Sequence, residues 1–244
     1  MIARTPSAVL GQVLGLMLSL PLAAAAQPQQ QAGPSIREQE IAECRPGEIQ
    51  TWGDGTDHPA VAEKLIFVYD HRGAPPWFSA RLVMAALQRA AEAWSRCGVP
   101  SLVAQGVMSP ALMAVNKGNV QVLWSDAETR GNFALANLSQ RRLALSPAGF
   151  VLLKTRNPSY PAQETLQMAI SHEMGHLYGL GAHSRRCVDV TSYYDNGKGD
   201  LCSARDRSQL KTVVEYRANL PTACDLQRCR MANGQAQAVP GINH

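Results

Sequence analysis

Ser171-His172-Glu173-Met174-Gly175-His176-Leu177-Tyr178-Gly179-Leu180-Gly181-Ala182-His183 is the stretch on which the reading of this chain turns. Residues four apart on an α-helix lie about 40° apart around the axis and about 6 Å along it. His172 and His176 therefore project from one face, close enough for both imidazoles to hold one metal ion. Glu173 sits one position on, where a carboxylate can reach a water on that ion without being a ligand. Gly179 lets the helix stop, because glycine accepts the left-handed turn that ends helices; Gly181 is the other candidate for that turn. The chain then delivers His183 as a third ligand. Two histidines and a glutamate at this spacing are the arrangement of a zinc hydrolase.

The 244 residues suffice for one substantial domain. Residues 1–26 read as a secretory signal, with Arg4 before an apolar run from Val9 to Leu22 and Ala24-Ala25-Ala26 as the cleavage site. The run is interrupted by Gly11, Gln12, Gly15 and Pro21 and is short for a membrane span. A secreted or periplasmic protein beginning at Gln27 is expected, with no stable membrane association once the signal is gone. The formal charge of +4 is too mild, and too little clustered, for nucleic acid. All six cysteines follow the signal, and an even count in an exported chain favours disulfides. Cys187 and Cys202 bracket one loop, Cys224 and Cys229 are near enough to pair, and Cys44 is a candidate partner for Cys97.

Outward from the motif, residues 27–60 read as a disordered or loop segment, polar and Pro/Gln-rich at first and turn-rich from Trp52 to Asp57. His58 reads as a surface residue. A catalytic domain is expected over 61–230 and a flexible tail over 231–244. Lys64–Asp70 is a short apolar run that reads as a buried strand. Ser79 caps a helix over about 79–96, with Val83, Leu87, Ala90, Trp94 and Cys97 on one face. Val120–Trp124, Gly131–Ala136, Leu143–Leu145 and Phe150–Leu153 read as further strands. The motif helix is expected over about 162–180, and a final helix over about 204–218. No internal repeat is visible.

His172, Glu173, His176 and Gly179 match, position by position, the HExxHxxGxxH signature of the metzincin metallopeptidases, and the chain resembles that family. Ala182 occupies the place of its third histidine, and His183 comes one residue later; a loop bulge absorbs the extra residue, which spans at most about 3.5 Å. Val190-Thr191-Ser192-Tyr193 is similar to the family's Met-turn, with Thr191 in place of methionine. The early strand and helix, ending in Ala-Trp-Ser with Pro-x-Leu after it, look like the opening of a matrixin domain. Arg96-Cys97-Gly98-Val99-Pro100 is similar to the core of the matrixin cysteine switch, but it follows the first strand and helix instead of preceding them. Cys97 is therefore read as a disulfide half.

The resemblance implies an α+β, zincin-like single domain: a small twisted, mostly parallel sheet with an antiparallel edge strand, two long helices and a C-terminal helix. It implies Zn²⁺ held by His172, His176 and His183, Glu173 as general base and Tyr193 as a phenol that swings to the metal or the oxyanion. The substrate is a peptide or protein bound extended along the edge strand over 131–136. Other readings remain. Glu215, as in gluzincins, or Asp189 or Asp195, as in aspzincins, replaces His183 as ligand. The chain is an exported zinc-binding protein without peptidase activity. It is a zinc amidase acting on cell-wall peptides.

Overall fold

The structure, a computed structural model, describes residues 33–235. The expected signal, residues 27–32 of the polar segment and the end of the tail lie outside that range.

Apolar alternation builds the centre. In β1 (Leu65–Tyr69), Leu65, Phe67 and Tyr69 are buried and the two residues between them are half-buried. The helix α2 (Ala80–Ser95) is capped by Ser79, whose hydroxyl accepts from the Leu82 N–H. Its Val83, Ala86, Leu87, Ala90, Ala91 and Trp94 recur at three- and four-residue spacing, and all are buried. Each large apolar side chain so buried contributes about 1.5–3 kcal/mol.

After α2 come β2 (Ser101–Gln105), α3 (Pro110–Val115), β3 (Asn119–Trp124), α4 (Asp126–Thr129), β4 (Ala134–Asn137) and β5 (Arg142–Leu145). The five strands form one sheet in the order β2-β1-β3-β5-β4. Its pairs are parallel except β4 on β5, which is antiparallel and makes β4 an edge. α5 (Pro147–Arg156) and α6 (Ala162–Leu177) follow. The α6 helix carries the motif and packs along α2, where Trp94 Nε1 donates to Ser171 O at 2.9 Å. Close approach requires Gly175: a Cβ there would lie 2.8 Å from Thr191 Cγ2 and 3.0 Å from Trp94 Cζ2.

Several expectations need correction. Phe150–Leu153 belongs to a helix, not a strand. Ser146 accepts from the Gly149 N–H, Pro147 begins the first turn, and only Phe150 of the apolar run is buried. The helix expected over 204–218 is a short 3₁₀ turn, Arg207–Lys211, and irregular chain. The C-terminal helix is α7 (Ala223–Ala232), begun by a reciprocal Thr222/Asp225 capping box and running into the expected tail. The 27–60 segment is not structureless: Ser35 and Glu38 cap α1 (Ile36–Ala42) reciprocally. Its Glu40 is buried, accepting from the Tyr216 hydroxyl and the Arg205 N–H. Polar composition suggested disorder, but these polar groups find partners more than a hundred residues away.

Cys187–Cys202 pairs as expected, whereas the other bridges are Cys44–Cys224 and Cys97–Cys229. Cys224 and Cys229 are five apart on a helix, about 140° around its axis, and so face different neighbours. Three disulfides belong to a protein that matures in an oxidising compartment. Among the described residues no helix is long and apolar enough to cross a membrane.

Candidate metal centre

The α6 helix ends as Gly179 requires. Gly179, at φ 104°, donates its N–H to His176 O, and Leu180 donates to Gly175 O, both at 3.0 Å. This paired closure is the Schellman arrangement, and it assigns the turn to Gly179 rather than Gly181. It also orients a candidate ligand: His176 Nδ1 donates to Leu180 O at 2.7 Å. On the same face, His172 Nδ1 donates to Val190 O at 2.8 Å. The bulge after Gly179 carries His183 into the group, where its Nδ1 donates to Asp54 Oδ2 at 2.7 Å. The three rings lie 4.9–5.2 Å apart, centre to centre.

These contacts decide the tautomers. Carbonyl oxygens only accept, so Nδ1 of His172 and of His176 carries the hydrogen. Burial, then the neighbouring His176 and His183, holds His172 well below the ordinary imidazole range, and burial lowers His176 against the opposing charge of Glu173. In the neutral rings of His172 and His176, with Nδ1–H, Nε2 is a bare lone pair. His172 Nε2 and His183 Nε2 nevertheless face one another at 3.1 Å. A shared proton or a bound cation can bridge two ring nitrogens at that distance. The three histidines form one group of potential ligand atoms within 4.8 Å of one another. Their nitrogen donors, each oriented by an acceptor on its far side, fit a divalent ion.

Glu173 lies beside this group and is 8% exposed. Its Oε2 accepts from the Ala136 N–H of the edge strand at 2.7 Å. Burial pushes its carboxyl up, against the charge of His176 and that hydrogen bond. Tyr193 is in the site, its ring 4.8 Å from that of His183, but its hydroxyl donates to Asp54 Oδ2 at 2.8 Å. Burial, then that bond and the Asp54 charge, push the phenol up to about 12, so it keeps its proton at neutral pH. Its ring stacks on Trp52 at 5.3 Å. A cleft of about 420 Å³ opens onto these groups, lined also by Phe133, Leu135 and Arg217.

The rival ligands are elsewhere. Glu215 is paired with Arg217, Asp189 is buried against Arg186, and Asp195 accepts from the Gly197 N–H in its own turn. Cys97 is bridged to Cys229 and is no metal-capping thiolate.

Sequence reasoning missed Asp54. It accepts from His183 Nδ1, the His183 N–H and the Tyr193 hydroxyl. Burial works to raise its carboxyl, but these three bonds outweigh burial and hold it below the usual range. The only signal was an aspartate in a glycine-rich turn, which marks a turn and says nothing about which side chain it will meet. Thr191, the residue at the expected methionine position, is buried against the motif helix. Its hydroxyl donates to Asp225 Oδ1 at 2.6 Å while its methyl packs toward Gly175.

No family model and no curated protein matches this chain. Among solved structures it is similar to a chain described as "GM1 bound form of the ECX AB5 holotoxin", with a TM-score of 0.45 and 12% identity. That likeness covers 73% of this chain and 87% of the other.

Proposed function

We propose that this chain is a secreted zinc endopeptidase, similar to the metzincins and among them to the matrixins. The observation that carries the reading is the convergence of three imidazoles, each with Nδ1 committed to an acceptor, beside the buried carboxylate of Glu173. His172, His176 and His183 would hold the ion. Zinc, when bound, supplies Lewis acidity that polarises a carbonyl and acidifies water.

The remaining chemistry belongs to the chain. Glu173 takes the proton of the attacking water and passes it to the departing amine nitrogen. Its raised pKa brings it nearer the working pH for both transfers. Its bond to Ala136 N–H fixes the carboxylate against β4, the edge strand. An extended peptide adds to such an edge through main-chain hydrogen bonds, which brings its scissile bond past Glu173. Tyr193, protonated and held by Asp54, offers a hydroxyl at the rim that can turn to an oxyanion.

The test is hydrolysis of an unfolded protein by the purified, zinc-loaded protein beside Glu173→Ala. Cleavage by the parent, lost roughly 10²–10⁴-fold in the variant while both bind zinc, is expected. Bound zinc with no cleavage by either protein would favour a binding role. Cleavage of cell-wall peptides alone would favour the amidase.

A further inference from the structure

The α7 helix bears no candidate ligand, yet it is bonded to the 57–60 turn, the chain after the motif helix and the loop at 190–191. Asp225 Oδ2 accepts from the Val190 N–H at 2.9 Å, and its Oδ1 accepts from the Thr191 hydroxyl at 2.6 Å. These two donors flank the carbonyl that orients His172. Arg228 pairs with both oxygens of Asp57, at 2.5 and 2.6 Å, and donates to Ala182 O. Asp57 in turn accepts from the Ala182 N–H. Arg228 therefore joins the chain just before His183 to the turn that carries Asp54. Just past the helix, Asn233 accepts from Ala60 N–H and donates to Tyr178 O.

Little apolar surface holds α7 there. Its buried face is Cys224, Asp225, Leu226, Arg228 and Cys229, so Leu226 is its one buried hydrocarbon side chain. A helix of ten residues does not persist on its own propensity. Two of the three disulfides end on it: Cys44–Cys224 ties it to the chain after α1, and Cys97–Cys229 to the end of α2. The third, Cys187–Cys202, does not involve it.

We propose that α7 is a redox-set clamp on the metal site. Asp225 and Arg228 are positioning residues for His172 and His183, and the bridges at Cys224 and Cys229 keep them in place. The site is then assembled in the oxidised protein and loose in the reduced one, so a chain that has not reached an oxidising compartment holds metal poorly. The inference rests on the metal-site reading above, but its first readout needs no metal.

That readout is amide hydrogen exchange on the metal-free, full-length protein. The oxidised parent is compared with a variant carrying Cys44→Ser, Cys97→Ser, Cys224→Ser and Cys229→Ser. Exchange at Ala182, His183 and Val190 should quicken by roughly tenfold or more while β1 and β3 stay protected. The control, Cys187→Ser with Cys202→Ser, should quicken exchange at position 202 and leave Ala182 and His183 as in the parent. Unchanged exchange at Ala182, His183 and Val190 in the four-serine variant overturns the clamp. If β1 and β3 lose protection as well, the decision passes to Arg228→Gln and Arg228→Lys in oxidised protein. Quicker exchange at Ala182 and His183 in R228Q, partly restored in R228K, supports the clamp; parent-like exchange in R228Q overturns it. Cobalt affinity, read from its visible spectrum, should fall roughly 10–100-fold in step with the exchange. An oxidised parent that binds no cobalt ends the metal-site reading, while the exchange pattern still decides the clamp.

Discussion

Two regions of this molecule are held together by different physics, and the candidate site lies on the seam between them. The sheet with α2 and α6 is an apolar body. Leu65, Phe67, Leu87, Trp94, Leu143, Leu166 and Ile170 form one continuous buried cluster. The turn at 52–58, the loop at 183–193 and the chain from 215 to α7 are held mainly by buried polar groups. Ser184, Arg186, Asp189, Thr191, Thr222, Asp225 and Arg228 are all buried there. The local apolar cluster is small: Cys187, Val188, Cys202 and Tyr216. His172, Glu173 and His176 belong to the first region, and His183, Asp54 and Tyr193 to the second. A packed helix face holds the two candidate ligands by their spacing. A polar network places its residues one by one, as the hydrogen bonds to Asp54 and Asp225 aim His183 and Thr191.

The largest effect should come where the regions meet. In Gly179→Ala, the new Cβ would sit 2.0 Å from His58 O at a residue with φ 104°. A loss of at least about 3 kcal/mol is expected in denaturant unfolding. A near-neutral result would mean that the 58–60 strap moves freely and that the seam is soft. Within the apolar body, Leu87→Ala should cost about 3 kcal/mol through the cavity it leaves, while metal affinity corrected for the folded fraction stays at the parent value. A specific loss of metal binding there would break the division between the regions.

Asp54→Asn should do the reverse. The amide group faces the donors of His183 and Tyr193, so metal affinity should drop roughly 10–100-fold in a chelator competition while the unfolding midpoint moves little. Equal losses in both measurements would make Asp54 a structural residue only. The smallest effect concerns acid stability. Burial works to raise the Glu48 carboxyl, but hydrogen bonds from Arg205 and the Arg45 N–H and the charge of Arg186 hold it down to about 2. A folded pKa below the unfolded value of about 4.3 adds stability that is complete above that value and fades as pH falls toward about 2. Glu48→Gln should therefore flatten that part of the acid-unfolding curve, by on the order of 1 kcal/mol because the pair is partly solvated. An unchanged curve would remove Glu48 from the polar region's supports.

What was legible in the sequence was local. The spacing of His172 and His176, the stop at Gly179, the apolar faces of β1 and α2, and the strands around Val120 and Leu143 follow from repeats of two or 3.6 residues, which neighbouring residues alone impose. The Cys187–Cys202 bridge was legible because only 15 positions separate its ends. The apolar run at Phe150 was ambiguous, since four apolar residues suit a strand or one helical turn; the Ser-Pro before it decided for the helix. The rest came from chain closure. Asp54 meets His183 across 129 positions, and Cys44 meets Cys224 across 180. No local period records such meetings. A polar side chain or a thiol accepts any suitably placed partner, and only the folded backbone places one.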